Sequence, residues 1–188
     1  MKNIFELWLE IGVWDKKGKL ISRQRGKSRS PLKALLQFLL VQMKQNSVTI
    51  KDILGDETSE GSAAVVFAAN GAADDASLGI IIGTDTTPVD ITDYKLVSPI
   101  SHGSAAGEML YQAQQFDADV TVDDPDCTFE MWRNWNNNSG ASITVRETGI
   151  YIWSKTSKKY CGVRDVPTEI NVPNGGGCYV KYTLKITE

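Results

Sequence analysis

The single histidine, His102, is the first residue to consider for catalysis, because nucleophile–base chemistry usually depends on an imidazole. It lies in a stretch of small residues and is flanked by Ser101 and Ser104. A catalytic triad is defined by its geometry in space, so a serine nearby in sequence does not establish one. We therefore expect His102 to be structural or solvent-facing. The sequence identifies no catalytic residue, and we expect that the chain is not an enzyme.

Metal binding is considered at an acidic cluster, because calcium binds carboxylate oxygens. The cluster comprises Asp117, Asp119, Asp123, Asp124 and Asp126. The alternation over residues 117–122 favours a strand with a polar outer face, and the glycine of a calcium loop is absent. Calcium binding stays open as an alternative, but no metal ligand is assigned.

Other cofactor signals are weak. The three cysteines are widely spaced and form no Cys-x-x-Cys pair, which argues against a zinc site or a disulfide framework. The stretch Gly83–Thr87 lacks the lysine of a phosphate-binding loop and is typical of a strand end and turn. We expect no cofactor and no small-molecule substrate.

The net charge of −3 hides a strong segregation along the chain. Residues 1–51 carry a net charge of +8, residues 52–130 carry −15, and residues 131–188 carry +4. This distribution suits a protein whose one end meets the opposite end of a neighbour, or it serves solubility alone. The basic residues within 16–29 could contact DNA phosphates, and an acidic protein neighbour explains them as well.

The elements that must position these residues are mostly strands. Residues 4–14 and 20–25 predict a hairpin around a polar turn, and residues 30–43 predict one amphipathic helix. Ser30 is the predicted helix cap, and Pro31 is placed in the first turn. The predicted apolar stripe of this helix packs on a sheet or on a neighbouring subunit. It comprises Leu32, Leu35, Leu36, Leu39, Leu40 and Met43.

Ten short apolar runs after residue 47 predict the strands of an antiparallel β-sandwich or barrel. A hairpin turn is predicted at Asn136–Gly140, and a second turn at Asn174–Gly177 leads into an alternating last strand. The predicted strands are 48–54, 63–68, 78–82, 94–97, 109–116, 118–122, 128–132, 143–153, 160–163 and 179–186.

Several motifs follow one another in a specific order. Gly83–Thr87 is followed by the loop at His102-Gly103, and then by Asn138–Tyr151, which contains an Asn-Ser-Gly turn and ends Glu-x-Gly-Ile-Tyr. Arg164-Asp165-Val166 and a Val-Pro turn at Val172-Pro173 precede the last strand. Over residues 78–188 this order resembles that of structural proteins of tailed-phage virions, although Asp85 stands where the pattern has a glycine.

The resemblance implies a mainly β protein that assembles into a phage particle, in the head, neck, tail or a fibre base. Other virion proteins and copies of itself would then be its partners. It also implies a structural ion pair between Glu147 and Arg164 inside the sandwich. We divide the chain into an N-terminal hairpin and helix appendage, residues 1–46, and an antiparallel β-sandwich domain, residues 47–188.

Two other functions stay open. A host-receptor or glycan-binding module would present Trp132, Trp135 and the asparagine turn to its ligand. A wall hydrolase carried on the particle would need a pair of carboxylates that the sequence does not place. The chain has no run of 18 apolar residues and no secretory pattern at its start, so we expect synthesis in the host cytoplasm, no membrane partner and a final location in the virion.

Overall fold

The structure is a computed structural model that describes residues 4–28, 30–63 and 67–188, with the backbone alone at Ile4 and Lys44. Arg29 of the basic run and the centre of the strand predicted over 63–68 therefore lie outside the described residues. The elements, in chain order, are β1 Ile4–Trp14, β2 Leu20–Lys27, α1 Lys33–Lys44, β3 Val48–Lys51, β4 Glu57–Glu60, β5 Gly79–Gly83, β6 Leu110–Tyr111, β7 Gln115–Phe116, β8 Thr121–Asp123, β9 Asp126–Asn136, β10 Ile143–Val145, β11 Glu147–Trp153, β12 Lys159–Asp165, β13 Ile170–Val172 and β14 Gly177–Thr187.

The large sheet has seven strands in the order β2-β1-β14-β9, with β6, β7 and β8 all paired to the far side of β9. Every pairing in it is antiparallel. Side chains alternate between its two faces, as strand geometry requires. Leu9, Ile11 and Val13 of β1 are buried on the inner face together with Val180 and Tyr182 of β14. The alternation predicted for the first and last strands is confirmed.

A second sheet, β12-β11-β5, covers the inner face of the large one and contributes to the same hydrophobic core. Two-stranded pairs β10–β13 and β3–β4 complete the fold. The mainly β, antiparallel sandwich predicted from the sequence is confirmed. The strand predicted over 94–97 is absent, because Leu96 is held in an irregular stretch where its backbone N–H donates to the Tyr151 hydroxyl at 2.8 Å.

The N-terminal hairpin is continuous with the large sheet. β1 pairs with β2 on one side and, over eleven residues, with β14 on the other. Leu7 and Leu9 of β1, the N-cap residue Leu32 and Phe38 of α1 belong to the same core cluster as the sandwich residues. β1, β2 and α1 are therefore part of the sandwich, and β1 and α1 contribute to its core, in contrast to the appendage expected over residues 1–46 from the sequence.

The helix begins later than predicted and turns a different face to the core. Pro31 forms an extended bridge with Val163, and the Leu32 N–H donates to the Gly162 carbonyl at 2.8 Å. Leu32, with no side-chain capping bond, occupies the N-cap position that was predicted for Ser30. This start is displaced because residues 30–32 run alongside β12 before the helix can begin.

The buried side of α1 is formed by Ala34, Phe38 and Val41, and the Phe38 ring packs edge-on against Tyr160 with 4.9 Å between centroids. The predicted stripe is therefore wrong for four of its six members. Leu36, Leu39, Leu40 and Met43 are exposed.

The turn after β9 is not a hairpin turn. β9 pairs with β14, whereas β10 pairs with β13, so the chain crosses from one sheet to another at residues 137–142. Asn137 is fully buried, and its side-chain amide donates to the carbonyls of Ala141 and Val172 at 2.9 Å each. These bonds fix a crossing, which a local turn motif does not distinguish from a hairpin.

Candidate interaction surface

His102 lies at the edge of the sandwich, where its ring contacts Tyr111 and Asp74. Its Nδ1 accepts the Tyr111 N–H at 3.2 Å, and its Nε2 is 3.4 Å from Asp74 Oδ1. Among the described residues, no side-chain hydrogen bond joins His102 to Ser101 or Ser104, and no hydroxyl or thiol bonds to its ring. The contacts of His102 are those of a loop-positioning residue.

The acidic cluster does not converge on one point. Asp126 binds Thr187 Oγ1 at 2.7 Å and pairs with Lys185, whereas Asp117 accepts the Glu130 N–H at 2.8 Å. Asp119 accepts the N–H of Val120. Within the described ranges, no group of three or more His, Cys, Asp or Glu side chains is arranged to hold a metal ion.

The outer face of the large sheet carries columns of charge that alternate from strand to strand. β2 contributes Arg23, Arg25 and Lys27, β1 contributes acids, β14 contributes lysines, and β9 contributes acids again. Ion pairs join neighbouring columns, as opposite charges on adjacent strands do. The pairs are Arg23–Glu10 at 2.7 Å, Lys181–Glu130 at 2.8 Å, Lys27–Glu6 and Lys185–Asp126.

Glu10 is the most enclosed acid of this face. Burial works to raise the pKa of its carboxyl, but hydrogen bonds from Arg23 and from the Tyr179 hydroxyl, at 2.6 Å, hold that pKa below its ordinary value. The pKa of Tyr179 is raised to about 12 by burial and by the same carboxylate. Glu10 is therefore ionised at neutral pH and joins three strands.

The two edges of the large sheet have opposite charge. The hairpin turn and β2 form the basic edge, residues 16–27, in which Lys16, Lys17, Lys19 and Arg25 are exposed. β7, β8 and their connection form the acidic edge, residues 115–124, in which every residue is exposed. The sequence indicated the charge segregation, but the strand order that puts the two runs on opposite edges is a property of the fold.

The exposed side of α1 is a separate apolar surface. Leu36, Leu39, Leu40 and Met43 form it, and the Met43 side chain is 85% exposed. A helix that is apolar on nearly all sides is usually covered on nearly all sides. We call these four residues the helix face.

An apolar cleft of about 160 Å³ opens between the two sheets beside the helix. Phe129 and Leu184 line it from the large sheet, Ile150 and Val163 line it from the small sheet, and Leu35 reaches it from α1. Its rim includes exposed aromatic side chains of Phe5, Phe67 and Phe116. Adjacent exposed apolar groups of this kind mark contact sites more often than free surface.

The ion pair expected between Glu147 and Arg164 is confirmed. Arg164 Nε lies 3.1 Å from Glu147 Oε2, and both side chains are fully buried. Arg164 also pairs with Asp93 at 2.9 Å, while Glu147 accepts the backbone N–H groups of Val97 and Ser98. The pair therefore fastens the long loop between β5 and β6 onto the small sheet.

Sequence reasoning missed the buried Arg133. Its guanidinium donates to five backbone carbonyls at 2.7–3.2 Å, and its charge lies 4.8 Å from the centre of the Tyr111 ring. Burial lowers its pKa. The acceptors are the carbonyls of Ala72, Asp75, Leu78, Ile80 and Gln112. The sequence did contain a signal for this site, because Arg133 occupies an inward-facing position of an alternating strand. A buried arginine requires hydrogen-bond or ion-pair partners.

The three features proposed for ligand display do not lie together. Trp135 is fully buried, and Asn137 is fixed inside the turn, whereas Trp132 is half-buried on the outer face. Trp132 borders a shallow depression with Tyr179, Lys181 and Glu130. Of the two tryptophans, Trp132 is the one whose ring remains accessible to a ligand.

The fold and its surface define a mainly β sandwich with a charge-striped sheet and an uncovered apolar helix face. Comparison with protein-family models, curated proteins and solved structures finds no match to this chain. None of the helices in the described part of the chain combines the length and apolar character needed to span a membrane.

Proposed function

We propose that this protein is a structural subunit that assembles into a tailed-phage particle through protein–protein contacts. The observation that carries the proposal is the helix face, four large apolar side chains left exposed on a helix whose opposite side is packed into the core. Burying each such side chain is worth about 1.5–3 kcal/mol, so a partner surface there gains substantial free energy. The resemblance of residues 78–188 to virion proteins indicates the kind of assembly.

The buried polar network supports the same proposal. Glu147, Arg164 and Arg133 are occupied by structural hydrogen bonds and ion pairs, and they hold two long loops of the sandwich in place. A rigid scaffold with open apolar surfaces suits a building block of a larger particle.

A genetic experiment tests this function. A phage whose copy of the gene is interrupted by an amber codon is complemented from a plasmid, and the particles are counted and imaged by electron microscopy. We expect wild-type protein to restore complete particles and Leu36→Asp/Leu40→Asp to fail, although circular dichroism shows that the variant is folded. Lys33→Asp, which changes an exposed position of the same helix, is the control and should complement. Normal particles without the protein, or with the double variant, would contradict the proposal.

The alternative is a receptor- or glycan-binding module, favoured by Trp132 and Tyr179 beside the depression on the outer face. It predicts that the isolated protein binds host cells or a glycan array, and that Trp132→Ala removes the binding. Under the assembly proposal the isolated protein binds neither.

A further inference from the structure

We infer that copies of this chain join head to tail, with the basic edge of one copy, residues 16–27, against the acidic edge of the next, residues 115–124. The inference rests on the proposed function as an assembly subunit, and it specifies one of the partners as a second copy. Both edges end the same seven-stranded sheet, because among the described strands β2 pairs with β1 alone and β8 pairs with β9 alone. Edge strands present backbone groups that another chain can pair with.

Charge complementarity is the first argument for a second copy. The basic edge contains Lys16, Lys17, Lys19, Arg23, Arg25 and Lys27 with no acid among them. The acidic edge contains Asp117, Asp119, Asp123 and Asp124, and no lysine or arginine occurs from residue 96 to residue 132. A junction of these two edges would place the lysines and arginines of one copy against the aspartates of the next. Such complementarity steers association and selects the register.

Exposed apolar residues are the second argument. Leu20 and Ile21 on the basic edge are each about half exposed, and Val120 and Val122 on the acidic edge are 53% and 75% exposed. Edges that only served solubility would not need aliphatic side chains among their charges. The same two edges therefore match each other in apolar as well as in charged groups.

Strand direction determines the kind of assembly. The pairings β2–β1, β1–β14, β14–β9 and β9–β8 are all antiparallel, so β2 and β8 run in the same direction. If β8 of one copy and β2 of the next pair in parallel, every copy keeps the same orientation. This is a heterologous interface, which generates a closed ring or an open filament instead of a two-fold dimer.

DNA is the other class of partner that the basic edge could bind. The acidic edge repels phosphate, and DNA binding would leave its exposed valines without a partner. A second copy accounts for both edges at once, and for that reason we favour it.

A charge exchange tests the inference. The first variant is Lys19→Glu/Arg25→Glu on the basic edge, and the second is Asp119→Lys/Asp123→Lys on the acidic edge. Lys155→Glu/Glu57→Lys, at exposed positions outside both edges, is the control. Mass in solution is measured for the full chain by sedimentation velocity and native mass spectrometry, at low and at high salt.

We expect wild-type and control proteins to form an oligomer at low salt that dissociates at high salt. Each edge variant alone should be monomeric at low salt, with the dissociation constant of the oligomer raised by at least about tenfold. An equimolar mixture of the two edge variants, and a chain with all four substitutions, should form the oligomer again. That recovery cannot result from misfolding.

A wild-type monomer at low salt, an oligomer that is unchanged in both edge variants, or folded variants that do not assemble when mixed would each overturn the inference. Binding to duplex DNA is measured for the same proteins. If wild-type protein binds DNA, and the first variant loses this binding with no change in mass, the basic edge binds nucleic acid and the inference is overturned. Normal particles formed without the protein, or with Leu36→Asp/Leu40→Asp, would instead contradict the proposed function, so the two failures are distinguishable.

Discussion

Two buried arginines hold their positive charge in different ways. Arg164 has two carboxylate partners, Glu147 and Asp93, whereas Arg133 is surrounded by five backbone carbonyls with no ion pair among the described residues. Carbonyl oxygens carry partial negative charge, so five of them can solvate a guanidinium that is cut off from water. Each arginine fixes one long loop of the sandwich, and each is expected to be sensitive to conservative change.

Arg133→Lys tests the role of the five backbone carbonyls that accept hydrogen bonds from Arg133. An ammonium has three donors in place of five and lacks the planar fork, so two or more carbonyls lose their partner. At about 1–3 kcal/mol for each buried polar group left unsatisfied, we expect a loss of about 2–5 kcal/mol in the free energy of unfolding. Urea denaturation measures it. Lys181→Arg on the outer face is the control, and a change at residue 133 as small as the control would contradict the assigned role.

The ion pair is tested by a double-mutant cycle. Glu147→Gln leaves Arg164 without its buried partner, and we expect a loss of about 3–5 kcal/mol in the free energy of unfolding. Glu147→Gln combined with Arg164→Met removes both charges and should cost clearly less than the two single losses added together. Simple additivity in urea denaturation would show that the two side chains do not act as a pair.

The carboxylates of the outer face predict a loss of stability in acid. Burial opposes the ionisation of Glu10, yet Arg23 and Tyr179 hold its pKa below the ordinary value of 4.5. A carboxyl whose pKa is lower in the folded state stabilises the fold above its unfolded pKa and loses that contribution as pH falls through its folded pKa. We expect the free energy of unfolding to fall as pH drops below 4.5, and to fall less steeply in Glu10→Gln. Identical slopes in the two proteins would contradict this assignment.

Among the secondary-structure elements, a strand was predictable where one of its faces is buried and the other is exposed to solvent. The alternation in residues 4–14 and 179–186 reports directly on a core face, and β1 and β14 follow it. β4 and β13 were missed because short strands of three or four residues give too little alternation to recognise. Partners were not predictable, since the turn at 136–140 permits a hairpin and a crossing equally well.

The helix face was assigned wrongly for a physical reason. Apolar residues occupy nearly every position of Leu32–Met43, so two helical stripes fit the spacing about equally well. The choice between them is made by the aromatic packing of Phe38 against Tyr160 and Phe67. Those contacts are between residues distant in sequence, and no pattern within the helix reveals them.

A pair of substitutions on the one helix tests this orientation. Phe38→Ala should lower the free energy of unfolding by about 3–5 kcal/mol, because it opens a cavity in the core. Leu40→Ala, at a position 49% exposed, should change it by less than about 0.5 kcal/mol. Thermal and urea denaturation of the two variants give the comparison. Equal losses would mean that both faces of the helix are packed in the isolated chain.

For the whole molecule, the net charge of −3 gives little information about how it associates, whereas the positions of the charges give more. The segregation into a basic start and an acidic middle was visible in the sequence. Its meaning depends on strand order, because the same two runs on neighbouring strands would have neutralised each other. Instead they end opposite sides of one sheet, and the helix face and the apolar cleft remain open elsewhere on the surface.

We propose that this chain is a structural component of a phage particle. Quantitative mass spectrometry of gradient-purified particles of the phage that encodes it is the direct test, with a host protein followed as the contamination control. We predict that the protein copurifies with complete particles at a fixed ratio to the major coat protein, and that washing at high salt leaves the ratio unchanged. Absence from purified particles, or loss in parallel with the host protein, would contradict the claim.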